Sequence, residues 1–233
     1  LDAMRSAEHR LMDLSKQFGN RKPEEYEMRL IDTEIPKSVI PLHGNSSSPE
    51  DTDDDQQQQQ QQKEQLLTIH GVVVESKQSD DASTLTTTTK TPLVLLHGYA
   101  NGGLYFYRNL IGISRYFSTV YSLDWLGWGL SSRPDFSSLK DTSTETAEQF
   151  FVESLEAWRK ANDLPKMILA GHSMGGYMSV AYCEKYPERV ERLVLLSPAG
   201  VPEETPEFLE RREAFRQRTT SSFSGKTLMA ILP

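Results

Sequence analysis

The chain has 233 residues, which suffices for one α/β domain with a full core and does not require two. Acidic residues outnumber basic residues by 33 to 25, and the net charge of −8 disfavours non-specific binding to nucleic acid or to anionic lipid headgroups. Cys183 is the single cysteine, so an internal disulfide is excluded and a reducing compartment is favoured over secretion.

The first predicted element is an amphipathic helix over residues 1–20. Its apolar side chains recur at three- and four-residue spacing and would form one stripe, namely Met4, Ala7, Leu11, Leu14 and Phe18. The polar face carries charges of both signs, which favours a helix docked on the domain over a helix lying on a membrane surface.

Two polar segments follow. Residues 45–65 are rich in Ser, Asp and Gln, and they predict a disordered insertion because they have too little apolar surface to offset their ordering entropy. Residues 79–90 contain four consecutive threonines and predict a loop or linker. Between them, "LLTIHGVVVES" predicts a strand in which His70 is a structural residue.

Residues 66–201 predict an α/β core. Short, continuously apolar runs alternate with helical segments, and such runs indicate strands covered on both faces of a parallel sheet: 92–97, 118–124, 166–172 and 192–198. A helix is predicted from about Glu145 to Asn162, with "TSTE" at 142–145 as its capping box. This alternation predicts a doubly wound α/β fold with a mostly parallel sheet.

A sharp turn around Ser173 carries the clearest chemical signal. Gly171, His172, Ser173, Met174 and Gly175 fit the pattern G-x-S-x-G, after a predicted strand and at the start of a predicted helix. Glycines are expected there because a side chain would clash with neighbouring backbone. A serine in this nucleophile elbow is a candidate nucleophile, although its hydroxyl needs a histidine to accept the proton.

Two backbone N–H groups are candidates for an oxyanion hole. This architecture uses the N–H of the residue after the nucleophile and one from an earlier loop at the same sheet edge, which indicates Met174 and Tyr99. His97 and Gly98 precede Tyr99 and are interpreted as residues that organise the loop. The alternative reading of this loop as a phosphate cradle lacks the G-x-x-x-x-G-K-[ST] pattern.

Asp124 opens a glycine-containing turn after the third strand of this region. We interpret it as a structural residue that binds backbone N–H groups of the turn. As a triad acid it would be out of order, since the fold places the acid after the nucleophile.

The motifs together resemble the α/β-hydrolase family, in particular a subfamily of lipase coactivators, lysophosphatidic acid acyltransferases, N-acylphosphatidylethanolamine lipases and fungal mitochondrial cardiolipin deacylases. The resemblance rests on "TPLVLLHGYANG", "VYSLDWLGWGLSSRPDF" and "MILAGHSMGGYMSVAYCEKYPERVERLVLLSPAG" and, more loosely, on "SAEHRLMDL". It implies Ser173 as nucleophile and Tyr99 and Met174 as oxyanion donors. It also implies a cytoplasmic or mitochondrial protein that contacts a membrane or lipid droplet peripherally.

The chain departs from this family at the base and the acid. Its five histidines all precede Ser173, whereas the family keeps its base after the nucleophile; they are His9, His43, His70, His97 and His172. No triad acid is found after the nucleophile, and the HxxxxD sequence of the acyltransferases is absent. Residues 202–233 predict the start of a helical cap, so we expect the acid, the base and the last strands beyond Pro233.

Three functions remain open at this point. The first is a serine acylhydrolase acting on a phospholipid or lysophospholipid ester, and the second is an acyltransferase that passes the acyl group to a lysophospholipid. The third is a non-catalytic lipid-binding or lipase-activating scaffold, since one fold hosts many functions. No metal-ligand cluster or nucleotide fingerprint occurs in the sequence, so no cofactor is expected.

Overall fold

Within the ranges that the structure describes, six strands form one sheet in the order β1-β2-β4-β3-β5-β6. The computed structural model describes residues 2–41, 65–77, 89–200, 205–207, 209–211 and 213–214. The strands are β1 (Tyr26–Pro36), β2 (Leu66–Ser76), β3 (Leu93–Leu96), β4 (Thr119–Leu123), β5 (Met167–His172) and β6 (Val190–Leu196). The helices are α1 (Asp2–Ser15), α2 (Leu110–Ile113), α3 (Thr144–Ala161) and α4 (Met174–Lys185).

Strands β4, β3, β5 and β6 are parallel, as the alternation of strands and helices predicted. All four residues of β3 are buried, which agrees with a strand covered on both faces. The carboxyl ends of these strands therefore meet at one sheet edge, where the loops that carry Tyr99, Asp124 and Ser173 emerge.

Strand β6 differs from this prediction. It lies at the open edge of the sheet, and Val194, Leu195 and Leu196 are each 38 to 41% exposed. Because successive residues of a strand point to opposite faces, both faces of β6 are incompletely covered by the described part of the chain. Further along the chain, the described residues 206–207, 209–211 and 213–214 are helical, at the start of the predicted cap.

The structure adds one strand that the sequence analysis missed. β1 pairs antiparallel with β2 along its full length, from Tyr26 opposite Ser76 to Pro36 opposite Leu66. Its apolar side chains Tyr26, Met28 and Leu30 alternate with Glu27 and Arg29, which is the period of a half-buried strand. The β1–β2 hairpin extends the parallel sheet through the antiparallel pair β2–β4.

Two local predictions need correction. The predicted capping box "TSTE" places the N-cap of α3 at Thr142. The N-cap in the structure is Ser143, whose Oγ accepts a hydrogen bond from the Thr146 N–H at 3.1 Å. The helix predicted over residues 1–20 ends at Ser15, and its apolar stripe is wrong in part. Met4, Leu14 and Phe18 are 41 to 45% exposed, whereas Leu11 packs on the core as predicted.

Helix α1 instead packs through a face that includes polar residues. Leu11 and Met12 contact the core beneath the sheet, and Ser15 is fully buried with its hydroxyl 3.3 Å from the Met28 sulfur. The side chain of Glu8 lies on the same face and reaches the sheet. Apolar spacing alone could not indicate this face because two of its members are polar.

His70 joins α1 to the β1–β2 hairpin. Its side chain is 1% exposed, and the ring nitrogens lie 2.6 Å from Asp32 Oδ1 and 2.9 Å from Glu8 Oε1. Burial opposes protonation, but the hydrogen bonds to Glu8 and Asp32 outweigh it and raise the pKa of His70 to about 9. His70 is therefore an imidazolium at neutral pH that donates to a carboxylate from each side.

Neither a membrane-spanning helix nor a metal-binding cluster is found in the described residues. None of the helices in the described ranges is long and apolar enough to span a bilayer. Among the same residues, no cluster of three or more His, Cys, Asp or Glu side chains is arranged to hold a metal ion.

Two predicted polar segments cannot be compared with the structure. The predicted insertion at 45–65, apart from Gln65, and most of the predicted loop at 79–90 lie outside the described residues.

The ion pairs of His70 predict a stability that decreases at alkaline pH. Because the pKa is 6.5 for an ordinary histidine and about 9 in the fold, the contribution is complete below pH 6.5 and is lost as the pH rises through 9. The shift corresponds to at most about 3 kcal/mol, reduced by solvent screening at the half-exposed Asp32. Urea unfolding of the parent protein and of His70→Gln across this range should show the decrease in the parent alone. His9→Gln, at an exposed histidine of α1, is the control, and an equal slope in His70→Gln would contradict the assignment.

Candidate active site

Ser173 occupies a strained turn between β5 and α4. Its backbone has φ 54° and ψ −119°, a conformation that a non-glycine residue adopts only when the surrounding structure imposes it. The Ser173 N–H donates to the Leu196 carbonyl of β6 at 3.2 Å, and its carbonyl accepts from Gly176 and Tyr177 in the first turn of α4. The turn leaves Ser173 partly exposed at the carboxyl edge of the sheet.

Close backbone contact explains the two glycines of the elbow. A Cβ on Gly171 would lie 2.2 Å from the Gly175 carbonyl oxygen, and a Cβ on Gly175 would lie 2.4 Å from the Leu96 carbonyl oxygen. Neither space can hold a carbon atom, so α4 packs directly on β5 and on the end of β3.

The loop after β3 approaches the elbow equally closely. A Cβ on Gly98 would lie 3.0 Å from Ser173 Cβ and 3.2 Å from His172 Nδ1, so Gly98 permits this approach. Tyr99, the next residue, stands beside the serine, as does Met174 at the start of α4. No hydrogen bond joins the backbone N–H of Tyr99 or of Met174 to any other described residue. Both N–H groups thus lie beside Ser173 without a hydrogen-bond partner in the described part of the chain, and the N-terminus of α4 adds a positive dipole end.

His97 is a buried structural residue in this loop. Its Nδ1 donates to the Gly98 carbonyl at 2.7 Å, and its Nε2 accepts from the Trp125 N–H at 3.2 Å. Burial lowers the pKa of His97, so the ring is neutral and this pair of hydrogen bonds fixes its tautomer. The indole N–H of Trp125 donates back to the His97 carbonyl at 3.0 Å.

Asp124 connects two loops at the same sheet edge. Its carboxylate accepts hydrogen bonds from the backbone N–H of Gly103 at 2.5 Å and of Leu130 at 2.7 Å. A Cβ on Gly129 would lie 1.8 Å from Asp124 Oδ2, and Gly129 itself has φ 51°. Asp124 therefore fixes the backbone of the loops beside the site, the type of contact expected of a structural residue.

A base for Ser173 is not present among the described residues. The ring of His172 stacks on Tyr105 with centroids 4.9 Å apart, and its buried Nδ1 has no partner within the described ranges. Both ring nitrogens of His70 and of His97 are engaged elsewhere, and His9 bonds the Arg5 carbonyl on the surface. His43 lies outside the described residues.

An apolar cavity of about 290 Å³ lies beside Tyr99 and was not predicted from the sequence. Its walls are contributed by the loop after β4 and by the first turns of α3, and include Trp128, Phe136, Phe150 and Phe151. The aromatic residues are far apart in the sequence. The two aromatic-rich runs "DWLGWG" and "EQFFVE" are the signal that could have indicated that they meet.

The comparison with protein families agrees with this geometry. A model of the alpha/beta hydrolase fold matches residues 91–228, more than half of the chain. The chain belongs to the α/β-hydrolase family. The resemblance drawn from the motifs is thereby confirmed, as is the predicted fold class.

Curated relatives of this α/β-hydrolase are named as lipid acyltransferases. The human protein named 1-acylglycerol-3-phosphate O-acyltransferase ABHD5 is 50% identical over 114 residues, covering 49% of this chain and 31% of that protein. A probable 1-acylglycerol-3-phosphate O-acyltransferase of Oryza sativa subsp. japonica is 44% identical over 124 residues, covering 53% of this chain and 29% of that protein. The matched segment thus spans less than a third of the length of these relatives.

Solved structures show the same fold at lower identity. A 2-hydroxy-6-oxo-6-phenylhexa-2,4-dienoate hydrolase from Rhodococcus sp. strain RHA1 aligns with TM-score 0.52 and 21% identity, covering 83% of this chain and 55% of that chain. A membrane phospholipase A described as a bacterial virulence factor aligns with TM-score 0.50 and 20% identity, covering 91% and 50%. These likenesses concern the fold and not the reaction.

The close contacts of the elbow predict unequal effects of two glycine substitutions. Gly175→Ala should lower the free energy of unfolding by about 3 kcal/mol or more, because the new methyl group meets the Leu96 carbonyl oxygen. Gly112→Ala is the matched control, since no atom lies within 4 Å of its new Cβ and alanine favours the helix by up to about 1 kcal/mol. Urea unfolding measures both, and equal stabilities of the two variants would contradict the packing described for the elbow.

Proposed function

We propose that this α/β-hydrolase transfers acyl groups of lipid esters through a covalent acyl-enzyme on Ser173. The observation that carries the proposal is the strained serine beside two backbone N–H groups, those of Tyr99 and Met174, that have no hydrogen-bond partner among the described residues. Such donors stabilise the charge that develops on the carbonyl oxygen during acyl transfer. A lipid ester is proposed as the substrate because the relatives' names concern acylglycerol phosphates.

The first half of the reaction forms the acyl-enzyme. Ser173 Oγ attacks the ester carbonyl while a histidine base takes its proton, and the two N–H groups hold the resulting oxyanion. Collapse of the intermediate breaks the bond to the alcohol, which leaves with the proton from the histidine. We propose that the histidine and its acid partner come from a part of the protein that the structure does not describe, since no described histidine reaches Ser173.

The second half decides between transferase and hydrolase. The acyl group passes either to a hydroxyl of a lysophospholipid or to water. Each acceptor gives its proton to the same histidine, which returns it to Ser173 Oγ as the ester bond to the serine breaks. The names of the human and rice relatives favour 1-acylglycerol-3-phosphate as the acceptor. Hydrolysis is the second candidate, since water can use the same partly exposed face of Ser173.

Labelling by a tagged fluorophosphonate tests the nucleophile. The natural-length protein, taken from cells in native extract, should be labelled because the reagent reacts with activated serines, and Ser173→Ala should lose the label. Ser179→Ala is the matched control, because Ser179 lies in the same helix with its hydroxyl bonded to the Gly175 carbonyl at 2.6 Å. Turnover of a lipid ester should decrease by about 10⁶-fold in Ser173→Ala. An unlabelled natural-length protein would overturn the enzyme proposal and favour a non-catalytic scaffold.

The fate of the acyl group tests the acceptor. The purified natural-length protein, supplied with a radiolabelled acyl donor and 1-acylglycerol-3-phosphate, should form labelled phosphatidic acid in excess over free fatty acid. Ser173→Ala should form neither product. Free fatty acid as the main product, at a rate independent of the lysophospholipid, would instead identify a hydrolase.

A further inference from the structure

The apolar cavity beside Tyr99 has the form of a ligand site. Its six principal wall residues are apolar or aromatic: Tyr99, Trp128, Phe136, Leu139, Phe150 and Phe151. Phe150 and Phe151 are 1 and 2% exposed, so the inner wall belongs to the core, whereas Phe136 at the outer wall is 46% exposed. The volume of about 290 Å³ is near the lower end of the range of about 300–1,000 Å³ that small-molecule pockets occupy.

Tyr99 links this cavity to the serine. Its ring packs edge-on against Trp128 with centroids 4.8 Å apart and forms one wall, while its backbone follows Gly98, whose missing Cβ would lie 3.0 Å from Ser173 Cβ. A group that fills the cavity therefore ends beside the proposed oxyanion donor. The cavity and the proposed oxyanion hole share Tyr99, so they can hold two parts of one molecule.

The polar groups at the cavity further restrict which part of a lipid can bind there. They are Asp141, Thr142 and Ser143 at the N-terminus of α3, where Asp141 and Thr142 are exposed to solvent. Hydrogen bonds from Ser143 and Thr146 lower the pKa of Asp141 to about 2, so this carboxylate stays ionised at neutral pH. A phosphate headgroup is repelled by this charge, whereas a hydrocarbon chain gains from contact with the aromatic walls.

We propose that this cavity binds the acyl chain of the ester whose carbonyl group lies at Ser173. The inference rests on the proposed function and adds a chain-length preference to it. Since a methylene group takes up about the volume of a water molecule, roughly 30 Å³, the cavity holds one chain of about ten carbons. A longer chain extends past Phe136 toward solvent, and the headgroup stays on the far side of Ser173.

Trp128 provides a direct test, because bromine quenches tryptophan fluorescence on contact. The ligand is the ethyl ester of ω-bromodecanoic acid, added to natural-length Ser173→Ala protein so that it is not consumed. We expect saturable quenching, and Trp128→Phe should remove the part that comes from Trp128 while retaining an aromatic wall. Trp125, whose ring packs against the cavity-wall residue Phe151 with centroids 5.4 Å apart, accounts for any remainder. Trp158 stays as an unquenched internal reference because it is fully buried elsewhere, against Tyr121.

Two alanine-to-phenylalanine substitutions in α3 test whether the ligand binds in the cavity. Ala147→Phe fills the cavity from the first turns of α3 and should abolish saturable quenching, whereas Ala161→Phe places the same ring at the exposed far end of that helix and should leave quenching unchanged. Thermal unfolding of both variants verifies that they fold. Undiminished quenching in a folded Ala147→Phe, or absence of saturable quenching in the Ser173→Ala protein itself, would overturn the inference.

These outcomes are separate from those of the nucleophile test. Fluorophosphonate labelling of Ser173 without quenching would retain the proposed function and refute the acyl-chain site. Quenching without labelling would support the chain site and refute the acyl-enzyme.

Discussion

Direct backbone contact between the first turn of α4 and the ends of β3 and β5 is the constraint on which the candidate site depends. It exists because Gly171 and Gly175 have no side chain, which lets a helix approach two strands at a distance that any Cβ would prevent. The same contact forces Ser173 into its left-handed conformation and brings the helix N-terminus beside the loop of Gly98 and Tyr99. The strain at one residue is thus supported by packing on three elements, a recurrent feature of functional sites.

A hydrogen-bond network extends this rigidity across the sheet. The backbone N–H of His70 donates to Ser131 Oγ at 2.9 Å, and the Ser131 hydroxyl donates to the Asp124 carbonyl at 2.8 Å. Asp124 in turn holds the loops of Gly103 and Leu130. The histidine that anchors α1 and β1 is therefore in continuous contact with the loops that flank the serine.

Sequence reasoning succeeded where the signal is local. The parallel strands are continuous apolar runs, and the elbow is a short pattern whose glycines have a steric cause, so both could be predicted from neighbouring residues. The buried face of α1 could not, because its polar members Glu8 and Ser15 lie on that face through contacts with His70 and Met28 on distant strands. The cavity beside Tyr99 was missed for the same reason, since its walls come from segments that meet only after the sheet forms. β1 was missed although Tyr26, Met28 and Leu30 alternate with charged residues, a signal that was available.

The antiparallel pairing of β1 with β2 also determines how the fold responds to changes in the length of the glutamine-rich segment. The described residues on either side of it are tied to one corner of the sheet: the Lys37 N–H donates to the Gln65 carbonyl at 2.8 Å, and the Lys140 N–H donates to the Pro41 carbonyl at 3.1 Å. The register is set by eleven facing residue pairs and not by the length of the connection. For the disordered connection that the sequence predicts, each doubling of length adds only about 0.6 kcal/mol of closure entropy. Expansion or contraction of the glutamine repeat is therefore a form of sequence variation that the pairing of β1 with β2 can tolerate.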